Sequence, residues 1–179
     1  MTEHHEGRRS ISLQVEVPGT PQEVWEAIAT GPGISAWFVP SQVDNLRLYL
    51  NHFRGRPSAA VSLAGASPEA KALAWAAMLD ALGLTAPVAG ARVRTAEASG
   101  APALSGITER VGDEELLIRT SDALAGLAAF EWDGRTTTVF RAACFGPDPE
   151  ALAAREAEVW GAWMHQHFPS PPTAAEAHR

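Results

Sequence analysis

Glu109 and Arg141 are the two charged side chains of this chain that strand alternation would set among apolar neighbours. Ile107, Glu109 and Val111 fall on one side of a candidate strand, and Val139, Arg141, Ala143 and Phe145 on one side of another. Facing a cavity, a carboxylate and a guanidinium would orient a polar group of a ligand; facing each other, they would neutralise themselves. Phe130 and Trp132 on a further strand, with Trp160, Trp163 and Met164 on the last helix, are residue types that either line an apolar cavity or fill a core.

Other chemistry finds less support. Of the six histidines, His4 and His5 sit in a polar tail, and His165 and His167 at spacing two point to different sides of a helix, unlike the i, i+4 pair that grips zinc. No metal or cofactor is expected. The chain has no glycine-rich phosphate loop, no G-x-S-x-G elbow and no C-x-x-C pair. Glu150, Glu156 and Glu158 fit the solvated face of a helix, so neither a hydrolase nor a nucleotide enzyme is indicated. The single Cys144 lies in an apolar strand-like run and reads as a small buried hydrophobe.

A net charge of -7 and basic residues scattered along the chain, all arginine except Lys71, argue against nucleic acid and against anionic membranes. No run approaches the eighteen or so apolar residues of a membrane span, and MTEHHEGRRS lacks the apolar core of a signal peptide, so the cytoplasm is the expected compartment. At 179 residues and 46% hydrophobic, the chain can build the core of one ordinary domain.

The elements that would position these residues alternate in type. Ile11, Leu13, Val15 and Val17 share one face of a strand, and Thr20, Pro21 and Glu23 make a capping box that opens a helix, ended by Gly31-Pro32-Gly33. Leu46 to Phe53 suits a short helix, and residues 54–57 a linker. Strand, S/T-P cap and helix then recur: 59–63 as strand, Ser67-Pro68 as cap, and a helix to about Leu82. Arg92–Thr95, Ile107–Val111, Leu116–Thr120, Leu127–Trp132 and Thr136–Phe145 read as an antiparallel meander with turns at Gly112-Asp113 and Asp133-Gly134. Asp148 and Pro149 open the final helix, whose end, HQHFPSPP, echoes LNHFRGRP at 50–57.

The run VEVPGTPQEVWEAIATGPGISAWF, residues 15–38, resembles the opening of the SRPBCC (START-like, helix-grip) superfamily, in particular the bacterial branch similar to the activator of heat-shock protein 90 ATPase. The resemblance implies an α+β helix-grip fold, a curved antiparallel sheet wrapped around a long C-terminal helix. Combined with the repeat, it divides the chain into a complete unit at 58–168 and a truncated N-terminal copy at 10–53, with disordered tails at 1–9 and 169–179. It further implies non-catalytic binding of a small hydrophobic molecule between sheet and C-terminal helix, with Trp37 and Phe38 at the pocket mouth. The alternatives it leaves are a protein-partner module and a cyclase- or dehydratase-type enzyme using Glu109 or Arg141 in acid-base roles. Strand 11–17, lacking a hairpin partner of its own, is expected to pair with an edge of the second unit's sheet or with its counterpart in a homodimer.

Overall fold

In a computed structural model, which describes residues 20–29, 43–96, 100–132 and 134–169 apart from the side chains of 27–29, 43, 44 and 132, two capping motifs place the first and last helices. Glu23 accepts a hydrogen bond from the Thr20 backbone N–H at 2.7 Å, and the Glu23 N–H donates to Thr20 Oγ1 at 3.3 Å, the reciprocal pattern of a capping box at the start of α1 (Pro21–Ala29). The Thr20 N–H and the Thr20 hydroxyl, which donates to Glu23 Oε2 at 3.0 Å, hold the Glu23 carboxyl below its ordinary value, with the nearby Arg54 adding to them. At the other end Asp148 accepts from Ala151 N at 3.1 Å, and Pro149 opens α4 (Pro149–His167).

Between them lie α2 (Val43–His52), β1 (Ser58–Ser67), α3 (Lys71–Ala81), β2 (Arg92–Arg94), β3 (Ser105–Val111), β4 (Glu115–Arg119), β5 (Ala123–Trp132) and β6 (Arg135–Phe145). All pairings are antiparallel, in the order β1-β6-β5-β4-β3-β2, so the first strand returns to lie beside the last. The fold is α+β: a curved six-stranded antiparallel sheet that holds the C-terminal helix, the helix-grip arrangement.

The inner face, against α3 and α4, carries Leu116, Ile118, Ala125, Leu127, Phe140, Ala142 and Cys144, packed on Trp75, Met78, Trp160, Trp163 and Met164. Trp160 is fully buried and its ring lies 3.9 Å from that of Phe140, at 7° between planes. Such face-to-face overlap is not the preferred aromatic geometry, so burial of area rather than quadrupole attraction holds the pair. Close approach at the far end of α4 requires a glycine: a Cβ on Gly65 of β1 would collide with the backbone carbonyl and Cβ of Phe168. Cys144 is buried here, and that burial pushes its thiol up to about 11.

On the outer face, Leu46, Tyr49, Leu50 and Phe53 of the α2 segment cover Leu117, Leu124, Ala143 and Phe145, with Val24 of α1 against the same cluster. Phe53 stacks on Phe145 at 4.2 Å. The two echoing helix ends thus sit on opposite sides of one sheet, His52-Phe53 outside and His167-Phe168 inside. No helix among the described residues is long and apolar enough to cross a membrane.

Ser67-Pro68 does not cap a helix. β1 runs on through Ser67, which pairs with Thr136, and α3 begins at Lys71 behind Ala70, without a side-chain cap. Ser67 Oγ instead accepts from Glu69 N at 3.2 Å, a local turn that separates strand from helix. The ladder to β6 extends β1 beyond the short strand that composition suggests.

Strand 11–17 lies outside the described residues. Among those described, the second edge of β1 has no partner, although its ten residues carry no charge and no proline to discourage pairing. A chain starting at Pro18 is therefore expected to melt below the full chain, with a shift of roughly 2–4 °C for each kcal/mol of edge pairing lost. Differential scanning calorimetry of the two chains checks this, and equal melting temperatures would rule out a stabilising role for residues 1–17.

Candidate functional site

Among the described residues the sheet carries a concavity on each face. The larger, about 450 Å³, lies on the outer face beyond the reach of α2. Strand register builds its floor: Leu117, Gly126 and Arg141 form one cross-strand row, Glu115, Ala128 and Val139 the next, and Phe130 stands opposite Thr137 in the row after that. The hairpin Gly112–Glu115 and Arg110 form the rim. Small residues at Gly126 and Ala128 leave the hollow, while Val139 and the half-exposed Phe130 give it apolar walls.

The charges around this groove are almost all matched. Arg110 Nε meets Glu115 Oε1 at 2.9 Å, and Lys71 Nζ meets Glu114 Oε2 at 2.8 Å, a bond that raises the Lys71 pKa. Arg141 Nε is buried and has no hydrogen-bond partner among the described residues; Arg110 Nη1 is likewise without one, but its guanidinium is matched by Glu115, and Asp113 on the rim acts electrostatically on Lys71.

Glu109 shares the outer face with Arg141 but does not pair with it. Its partner is Arg119, at 2.6 Å, and it borders a separate recess of about 70 Å³ beneath Arg47 and Leu48 of α2. A β-bulge between Thr108 and Arg110 is the cause. The extra residue breaks the alternation, so Val111 pairs with Leu116 of the inner face instead of sharing the side of Ile107 and Glu109. His52 is close enough to respond to both charges. Partial desolvation first, and the Arg119 guanidinium second, lower its pKa against the pull of Glu109.

The second concavity, about 230 Å³, lies between the inner face and the first half of α4, where Leu104, Phe140 and Ala142 meet Leu152, Arg155 and Glu156. The rest of the space under α4 is filled by the rings of Trp160 and Trp163 and by Met164. Glu156 also accepts a hydrogen bond from Trp160 Nε1 at 3.2 Å, which ties the rim of this recess to the core.

The residues singled out by sequence therefore separate. Phe130 and Arg141 come together in the outer groove. Trp160, Trp163 and Met164 are core, and Phe145 lies beneath α2 against Phe53. Trp37, Phe38 and the side chain of Trp132 lie outside the described residues. The groove residues that sequence alone did not point to include Leu117, Gly126, Ala128 and the ion-paired Arg110, which the cross-strand register brings together. Among the described residues, no three His, Cys, Asp or Glu side chains gather as a metal site would require.

No protein-family model matches the chain, and no curated protein does. Similar solved structures include DynU16, a protein of the dynemicin biosynthetic locus, 16% identical with a TM-score of 0.45 over 63% of this chain and 49% of that one. The match thus spans about half the length of DynU16. MLL2253 from Mesorhizobium loti is 13% identical with a TM-score of 0.48, covering 60% of this chain and 93% of its own.

Proposed function

We propose that the protein is a non-catalytic binder of a small apolar molecule, held in the outer groove over β4, β5 and β6. The reading rests on one observation: a hollow of about 450 Å³ with an apolar floor and the Arg141 guanidinium set in it outside any ion pair among the described residues, while the space under the C-terminal helix keeps only a smaller recess of about 230 Å³. That volume lies within the range of small-molecule sites, and the combination of apolar walls with few polar groups is what such sites share. Arg110, Glu115, Lys71 and Glu114 beside the groove are taken up in ion pairs, which favours holding a ligand over acid-base work on it. The resemblance of residues 15–38 to the branch of the heat-shock ATPase activator belongs to this reading as kinship of fold, with the binding site moved to the other side of the sheet.

Nile red, a neutral apolar dye, tests the site. Its emission should rise on binding, and Ala128→Phe, which fills the groove floor, should weaken binding about tenfold, the effect of losing one well-packed ring-sized contact. Ala103→Trp, at the mouth of the inner recess, should leave binding unchanged. The opposite pattern would place the ligand under α4 and overturn the reading.

A further inference from the structure

We infer that the molecule held in the outer groove carries a single carboxylate on an apolar body, and that Arg141 is the residue that receives it. The inference rests on the groove being a binding site and deepens that reading by naming the ligand's chemical class. Along β6, Arg141 stands between Val139, which lines the groove, and Ala143, covered by α2. Across the sheet its neighbours are Gly126 of β5 and Ser62 of β1, neither of which brings a negative charge. Of the carboxylates around the groove, Glu115 is held by Arg110 and Glu114 by Lys71, on which Asp113 of the rim also acts, and Glu109 beyond the rim is held by Arg119. A permanent cation is thus left on an apolar floor, its Nε buried and without an acceptor among the described residues.

A guanidinium cannot shed its proton to escape this cost, because arginine stays charged in proteins. What satisfies it is an anion with planar geometry, and a carboxylate accepts two parallel N–H bonds from the guanidinium edge. Gly126 lies directly across the strand pair and has no side chain to occupy the space such a group would need. Among the described residues Arg141 is the groove cation outside any ion pair, and the carboxylates of Asp113, Glu114 and Glu115 stand on the rim, so the groove favours one negative charge over two. The apolar wall of Val139 and Phe130 takes the remainder of the molecule.

Three ten-carbon probes separate the possibilities, titrated into the full chain by calorimetry below their aggregation concentrations: decanoate, 1-decanol and decylammonium. Decanoate should bind about tenfold or more tighter than decanol, as a charge-assisted hydrogen bond in a partly buried site would give, and decylammonium should bind weakest. Arg141→Leu should erase the difference between decanoate and decanol while leaving decanol affinity in place, and Arg141→Lys should keep part of it, since a point charge lacks the fork. If Arg141→Leu melts early, the Lys variant still decides the matter. Equal affinity of the wild-type chain for decanoate and decanol would overturn the carboxylate assignment but keep the groove as the site. Binding of all three that survives Ala128→Phe would overturn both.

Discussion

Trp160→Ala is expected to destabilise the protein by about 3–5 kcal/mol, the usual cost of removing a buried large aromatic side chain. The ring is wholly excluded from solvent, stacks on Phe140 and meets Trp163 edge-on at 5.7 Å. Its loss leaves a cavity where α4 presses on the sheet. For a chain of this size each kcal/mol moves Tm by roughly 2–4 °C, so thermal melting should shift down by on the order of 10 °C. Trp160→Phe keeps a ring over Phe140 and gives up the indole bond to Glu156, and should recover most of that loss. Thermal denaturation followed by near-ultraviolet circular dichroism measures both variants. A Trp160→Ala protein that melts within a degree or two of wild type would mean that the last helix is not seated on the sheet as described.

The second large effect is expected at Phe53, and it should be local. Phe53→Ala removes the ring that stacks on Phe145 and closes the cluster of Leu46, Tyr49 and Leu50 over Leu124 and Ala143. The gross cost is again about 3–5 kcal/mol, but the covering segment can detach without unravelling the strands beneath it. The surface pair Arg54–Glu23 that joins the end of α2 to α1 is exposed and adds little to resist this. Hydrogen exchange should therefore quicken in Val43–His52 and on the strand ends under it, with the amides of β1 and β6 elsewhere unchanged. Uniform acceleration over the whole sheet would show that α2 is integral to the cooperative unit.

These two sites also show where the sequence could be read and where it could not. Local chemistry was legible: the Thr20–Glu23 box, the Asp148-Pro149 start, and the turns before β4 and β6 are each decided within four residues, and the structure has them at those places. The faces of the central strands were harder. β6 is apolar on both sides near Ala142–Phe145, because α4 covers one side and α2 the other, so alternation carries no sign of which is inner. A helix covering the outer side of a sheet is a long-range fact that no periodicity within the strand records.

The candidate site was legible in part for the same reason. Arg141 stood out because it interrupts an apolar strand, and Phe130 because it is a large ring on the next one. Their meeting on one floor depends on the pairing of Gly126 with Arg141, a register that the hairpin sets. Glu109 could be flagged as unusual, yet its partner Arg119 lies ten residues away across a bulge that shifts the count by one. Trp160, Trp163 and Met164 have the same spacing whether they line a hollow or fill it. Volume decides, and volume is not written in spacing.

The position of the one sulfur has a practical side. Alkylating reagents and molecular oxygen attack the thiolate, and a thiol held up to about 11 is almost wholly protonated near neutrality. The folded chain therefore offers no handle for cross-linking copies through sulfur, and the thiol becomes reactive when α4 lifts from the inner face or the strands part. The sequence thus carries its own stopwatch for opening of the inner face, with no label to engineer and no second cysteine to confuse the signal.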